Sequence, residues 1–315
     1  MKSNPASYCF VASVRECPVK LLDASDGRLR ASYKIVDHRE RHIAPHILSF
    51  DLSAQRLYCG FEDAIEVFDL LRPGEGTRMP TTPSKKSKDG LKGIVSALAF
   101  SASFTADESF FAAGTFTPTE DNIALFSDSQ QVPLMYVGGG PRAGVTQLKF
   151  NPMRPHILYA GYRGHASGLV YSWDTRSNVD SPLEIFRTVN HQRSPTNQKI
   201  RFDLDVAGRL LSMGDKAGNI SVFELDSAPA NFIDPIAFET KEYVPKMHFP
   251  AHNDVVGSIA FHPFESRILT AAGSRHFIES YSDSSDNEDN SRAEARAQPI
   301  TLDSTLKIWD LRHRA

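Results

Sequence analysis

The sequence predicts an all-β chain built from about six successive sheet repeats, and three observations carry that reading. Short stretches rich in β-branched and aromatic residues alternate apolar with polar at a period of two, whereas a helical repeat would space apolar residues three and four apart. A unit recurs: an alternating stretch, a polar turn, a second stretch ending in small residues, another turn, and a third stretch ending in an aromatic or aliphatic residue before Asp. The third stretches end near Leu22, Phe68, Phe126, Trp173, Phe223 and Trp309. Most of their intervals are about 46 to 58 residues, close to the period of one propeller blade.

The first repeat opens at Tyr8–Val14, which matches a second strand with no inner strand before it. The second runs from His46 as HILSFDLSAQRLYCGFEDAIEVFDL, and the third from Ile94 as IVSALAFSASFTADESFFAAGTFTPTEDNIALF. The fourth, VTQLKFNPMRPHILYAGYRGHASGLVYSWDTR, is the clearest, with strands expected over Val145–Phe150, Ile157–Gly161 and Leu169–Trp173. The fifth starts at Lys199 as KIRFDLDVAGRLLSMGDKAGNISVFELD. The last begins at Val255 as VVGSIAFHPFESRILTAAGS, is interrupted, and resumes at Ser304 as STLKIWDLR. Inner strands such as Ser258–Phe261 pack on both faces between neighbouring blades, which selects small and apolar residues. Asp23, Asp69, Asp174 and Asp310 follow third strands, where a short acceptor side chain bonds the turn backbone and lets the chain reverse. With Trp173 and Trp309 they are read as structural. Gly60, Gly114, Gly161 and Gly214 suit either a tight approach or a positive φ. Four strands in each of five repeats and two in the first give about 22, short of six or seven full blades. The ring is therefore expected to be open, or to lack an amino-terminal blade.

The chain has 315 residues, 41% of them hydrophobic, enough for a substantial core. A formal charge of −3 gives no global basic footprint, so any nucleic-acid contact must come from a local patch. Cys9, Cys17 and Cys59 show no metal-type pairing, the amino end has no signal-peptide core, and no apolar run approaches the roughly 18 residues of a membrane span. These features point to an intracellular protein without a membrane partner. The absence of G-x-S-x-G, Walker, H-E-x-x-H and CxxC patterns argues against an enzyme, and no cofactor or small-molecule substrate is expected. Asp203 and Asp205 in FDLD share one side of a strand, where hydrogen bonding to neighbouring loops is favoured over holding a cation. Two insertions stand out. Residues 77–93 are Lys-rich and Pro-bearing and read as a flexible basic arm, and residues 274–303 contain SDSSDNEDNS and read as disordered and acidic. Ser282, Ser284 and Ser285 amid acids are candidate phosphorylation sites.

In a propeller register, outer-to-inner and second-to-third strand loops share one face. That face would carry Arg142 in GGGPRAG, Arg163 and His165 in GYRGHASG, Arg193 with His191, Asn197, Gln198, Lys216 in GDKAG, and Arg275 with His276. Arginines and lysines around a channel can clamp phosphates, while Asn197, Gln198 and Tyr162 could contact or stack on unpaired bases.

The stretches FVASVRECPVKLLDASDGRLRASY, LYCGFEDAIEVFDLLRPG, TNQKIRFDLDVAGRLLSMGDKAGNISVFE and AAGSRHF followed by an acidic insertion and STLKIWDLR resemble the telomerase Cajal body protein family of WD-repeat proteins. The resemblance covers nearly the whole chain, and Thr196–Asp205 is its most specific part. It implies a seven-bladed WD-repeat β-propeller, of which this chain shows about six repeats with an incomplete first one, forming a single propeller over residues 1–315. It further implies a nuclear, non-catalytic assembly factor for RNA-protein particles, since vertebrate members bind small Cajal body RNAs and telomerase RNA. Expected partners are small nuclear RNA or its particle's proteins and other nuclear proteins. Fungal relatives linked to splicing suggest the alternative of a protein scaffold without direct RNA contact. Arg163 matches a basic position of the family.

Overall fold

The computed structural model describes residues 8–84, 86–87, 89–101, 110–127, 132–189, 195–225, 240–277 and 299–312. These contain 25 strands and no helix. The first sheet joins β1 (Cys9–Ala12), β2 (Val19–Asp23) and β3 (Leu29–Tyr33) in that order. The second orders β4 (Ile47–Phe50), β5 (Arg56–Phe61), β6 (Ala64–Asp69) and β7 (Thr77–Pro80). The third repeats this pattern with β8 (Val95–Ser101), β9 (Phe110–Thr115), β10 (Ile123–Ser127) and β11 (Pro133–Val137). In the fourth, β12 (Val145–Phe150), β13 (Ile157–Tyr162), β14 (Leu169–Asp174) and β15 (Glu184–Arg187) gain a parallel fifth strand, β19 (Lys241–Tyr243). The fifth holds β16 (Phe202–Leu204), β17 (Leu210–Gly214), β18 (Asn219–Glu224) and β20 (Met247–Pro250). The sixth holds β21 (Val256–Phe261), β22 (Arg267–Ala272) and β25 (Leu306–Asp310), with a small β23 (His276–Phe277) and β24 (Pro299–Ile300) hairpin at its second turn.

Apart from the added parallel strand of the fourth, each sheet is an antiparallel meander, and each of five apolar clusters lies between successive sheets. Phe68 and Tyr33 join the first two, Tyr58 and Phe111 the next pair, Leu148 and Leu125 the third, Phe186 and Phe223 the fourth, and Val222 and Ile268 the last. Successive antiparallel sheets of three to five strands, packed face to face through shared apolar clusters, make a WD-repeat β-propeller. Neighbouring sheets approach closely at glycine. A Cβ on Gly60 would lie 2.7 Å from Val95 Cγ1, one on Gly114 2.7 Å from Val145 Cγ1, and one on Gly214 2.5 Å from the Val256 backbone oxygen. The glycine ending each second strand thus lets the next inner strand start against it. None of the three has a positive φ, so close approach is the reason for glycine here. Inner strands β8, β12 and β21 also open with a register shift, after Val95, Val145 and Val256. Such a bulge twists and bends the strand as it enters the centre.

Three expectations change. The first sheet has three strands instead of two, because Leu29–Tyr33 pairs as its outer strand. Residues 77–93 are not one loose arm: Thr77–Pro80 is the outer strand of the second sheet, and the buried Thr81 hydroxyl donates to the Leu91 carbonyl at 2.7 Å. Lys85 and Lys88 lie outside the described residues. The ends of the 274–303 insertion form the β23–β24 hairpin, while residues 278–298, with Ser282, Ser284 and Ser285, lie outside the described residues.

The sixth sheet is tied by a buried polar network. Trp309 Nε1 donates to Thr270 Oγ1 at 3.0 Å, and His252 Nε2 lies 2.8 Å from the same oxygen. Asp303 Oδ2 faces His252 Nδ1 at 3.3 Å and accepts the Asn253 amide at 3.1 Å. The nearby Asp254 carboxylate takes Ser274 N and Leu302 N, each at 3.2 Å, and pairs with His276 at 2.9 Å. Both stems of the insertion are thereby anchored on one buried carboxylate.

Candidate functional site

Alternation in the antiparallel sheets puts second-to-third strand turns and outer-to-inner connections on one face, and the loop contacts agree. Asn122 Nδ2, beside the third sheet's turn, donates to the Ala143 carbonyl at 2.7 Å, and Arg163 N donates to the Gly144 carbonyl at 3.0 Å. The GYRGHASG turn folds on Gly164 and Gly168, whose φ values of 74° and 83° favour glycine. It is fixed to the following connection, the lead-in to the fifth sheet, by Gly164 N donating to Thr196 O at 2.7 Å.

That frame sets the Arg163 guanidinium over Phe116, 3.9 Å from the ring centroid, and brings the Lys199 ammonium to 5.0 Å from the same ring. Gly144 makes the crossing possible, since a Cβ there would lie 2.9 Å from Arg163 Nε. Arg201 stands two residues beyond Lys199, at the entry to the fifth inner strand, where its amide donates to the Gly257 carbonyl at 3.0 Å. Burial, then the charges of Arg201 and Arg163, hold Lys199 below the usual lysine range. Burial also lowers His46, at the head of β4, and the Lys199 charge adds to that while Glu62 opposes it. Arg163 of the fourth sheet and Lys199 at the lead-in to the fifth therefore converge on Phe116 of the third, with Arg201 and His46 near enough for their charges to interact with Lys199, and together they form a cationic mouth. Among the described residues, none of Arg163, Lys199 and Arg201 has a carboxylate partner. Three such cations crowded together present donors and positive charge to an anion.

The other sequence candidates divide. Arg142 lies on this face but is spent on an exposed pair with Glu120 at 2.5 Å, the kind of pair that contributes little. Asn197 and His165 are exposed beside the mouth, as is Arg275 near the insertion stem. Gln198 is half-buried, its Nε2 donating to Ser274 Oγ, which links the mouth's lead-in segment to that stem. Lys216 sits on the second-to-third strand turn of the fifth sheet and is exposed. Arg193, with His191, lies outside the described residues. Tyr162 is corrected: its ring is buried edge-on against Tyr171, and burial pushes its hydroxyl up, so it stacks on no ligand. Phe116, Lys199 and Arg201 were not singled out from the sequence; the signal was the K-x-R pair just before the fifth inner strand.

The structural set has its own geometry. Asp69, Asp174 and Asp310 each accept the amide two residues on, at 2.8, 3.0 and 3.0 Å, and Asp23 does so from Ser25 at 2.8 Å. Trp173 is fully buried and donates to the Gly138 carbonyl at 3.0 Å. Asp203 bridges inner strands, pairing with Lys149 and accepting Phe261 N at 2.7 Å, whereas Asp205 caps its own turn through Arg209 N and Leu210 N. No cluster of three metal-type side chains occurs among the described residues, and no helix there is long and apolar enough to cross a membrane.

No protein-family model matches the chain. It is similar to telomerase Cajal body protein 1 of Rattus norvegicus, 33% identical over 280 residues, covering 89% of this chain and 48% of the relative. The protein of the same name in Homo sapiens is 29% identical over 307 residues, 98% of this chain and 51% of the relative. A third relative, the guanine nucleotide-binding protein negative regulator 1 of Schizosaccharomyces pombe, is 26% identical over 313 residues, 97% of this chain and 70% of that protein. The chain spans about half the length of the mammalian relatives it matches.

Proposed function

We infer, for a chain homologous along nearly its whole length to the telomerase Cajal body proteins, a nuclear and non-catalytic role in which the cationic mouth binds small nuclear RNA within a ribonucleoprotein. The observation that carries the reading is the convergence of Arg163 and Lys199 on Phe116, with Arg201 close enough to act on Lys199, and none of the three in an ion pair among the described residues. A structural arginine is ordinarily paired, as Arg78 is with Glu66 at 2.8 Å. Cations held together by the fold, unpaired and partly desolvated, favour a ligand with closely spaced negative charges, and RNA phosphates supply them. Exposed Asn197 beside them adds an amide able to meet a base edge.

Filter binding of a hairpin RNA across a salt series tests the reading. Changing Arg163, Lys199 and Arg201 together to Gln should weaken binding and flatten the logarithmic salt dependence by roughly 2 to 3, about 0.7 to 0.9 for each phosphate no longer neutralised. Unchanged affinity and slope would leave the alternative, a protein scaffold in pre-mRNA splicing that does not touch RNA.

A further inference from the structure

The face opposite the cationic mouth carries a repeated feature of its own. In four sheets the turn from inner to second strand is closed by an acceptor side chain at the end of the inner strand. Asp51 Oδ1 accepts Gln55 N at 2.8 Å and Arg56 N at 3.0 Å, and Asn151 Oδ1 accepts Met153 N and Arg154 N at 3.0 Å each. Asp205 Oδ1 accepts Arg209 N at 2.7 Å, and His262 Nδ1 accepts Phe264 N at 3.2 Å and Glu265 N at 2.9 Å. Each capped turn thrusts one large apolar side chain into solvent: Leu52, Met153, Val206 and Phe264, exposed by 59, 68, 56 and 92%. A single exposed apolar residue needs no explanation, but its recurrence on four equivalent turns is a repeated feature of this face. Asn151 Nδ2 also donates to the Gly208 carbonyl at 3.0 Å, fixing the fourth turn against the fifth.

Two of these tips, Val206 and Phe264, flank a groove of about 400 Å³ between the fifth and sixth turns. Val206 and Phe264 wall it, and Leu210, Met247, Phe261 and Leu311, the lower edge of the core between those sheets, floor it. We propose that the groove docks an aromatic or leucine side chain from an extended, acidic segment of a protein partner. Its size suits one or two side chains.

The acidic character follows from which polar groups at the rim are still unused. Glu265 is paired with Arg267 at 2.7 Å, Glu224 with Lys246 at 2.5 Å, and one Asp205 oxygen takes two turn amides. His262, with Nδ1 accepting amides, carries its proton on the exposed Nε2 in the neutral ring and so offers a donor. Arg209, exposed in the Val206 turn, has no carboxylate partner among the described residues. Carboxylates flanking an apolar anchor therefore meet the unengaged donors of His262 and Arg209, while the nearby glutamates are already paired and one Asp205 oxygen is taken. The proposal is independent of RNA binding, because it uses the other face.

The test is selection of displayed random twelve-residue peptides on the whole immobilised chain, with counter-selection on Phe264→Asp. Peptides joining Phe, Trp or Leu to Asp or Glu should be enriched. By fluorescence anisotropy they should bind the wild-type chain at least about tenfold more tightly than Phe264→Asp or Val206→Asp, with Phe264→Leu retaining binding. Equal urea midpoints of these variants show that folding is intact, and hairpin RNA affinity should not change. Enrichment of basic peptides, no peptide that distinguishes wild type from Phe264→Asp, or sedimentation showing a dimer abolished by Phe264→Asp would overturn it, the last by assigning the groove to a second copy.

Discussion

Asp303 holds more donors than its place after a long insertion suggests: the Thr305 hydroxyl at 2.6 Å, the Asn253 amide, and the imidazole of His252. The Thr305 hydroxyl first, then the Asn253 amide, brings its pKa down to about 2. A carboxylate held below its unfolded value of roughly 3.9 stabilises the fold above that value, and the contribution is lost as pH falls through the folded one. The urea midpoint of Asp303→Asn should therefore trail wild type by a constant amount from pH 7 to about 4, and the gap should narrow as pH drops toward 2. A gap that persists undiminished to the lowest pH at which both proteins fold would contradict this. At the same scale, Arg163 was legible because glycines on both sides marked it as a turn residue. Lys199 and Arg201 were hidden because they precede a strand in a block that reads as structural, and only the folded chain brings Lys199 to Phe116. Tyr162 misled for the converse reason. It neighbours Arg163 in sequence, yet it ends β13, where it points into the core.

Among elements, the third strands were the most readable, because an aromatic or aliphatic residue marks each end and Asp follows it in four of the six. All six expected ends fall within β2, β6, β10, β14, β18 and β25. Outer strands were the least readable: Thr77–Pro80 is short, mostly exposed and followed by a run of lysines, so its composition resembles a linker although its backbone pairs with β6. The parallel β19 could not be foreseen, since its partner β15 lies more than fifty residues away and Tyr243 stacks on Phe186 only in the folded chain. The glycines ending the second strands give the sharpest test at this scale. Gly214→Ala would place a methyl group 2.5 Å from both Val256 Cβ and its carbonyl oxygen. Because one of these atoms is backbone, β21 itself would have to shift, and chemical denaturation should show a loss of about 1 to 3 kcal/mol. Gly27→Ala, where nothing lies within 4 Å but φ is 73°, should lose less, since only local backbone strain is at stake. Equal losses would mean that the sheet-to-sheet approach is not what demands glycine.

For the molecule as a whole, repetition of one sheet produces two unlike faces. Glycine-rich turns gather cations around Phe116 on one, and side-chain-capped turns raise apolar tips on the other. Net charge concealed this, because −3 over the whole sequence averages a local cluster of positive groups with carboxylates used in turn caps. The measurement that bears most directly on the central claim is ultraviolet crosslinking of a bound hairpin RNA, with the attached peptides identified by mass spectrometry. Adducts should concentrate on peptides containing Phe116, Arg163 and Lys199–Arg201, and should disappear when the three cations are changed together. Adducts confined to the opposite face, around Met153, Val206 and Phe264, would contradict the account.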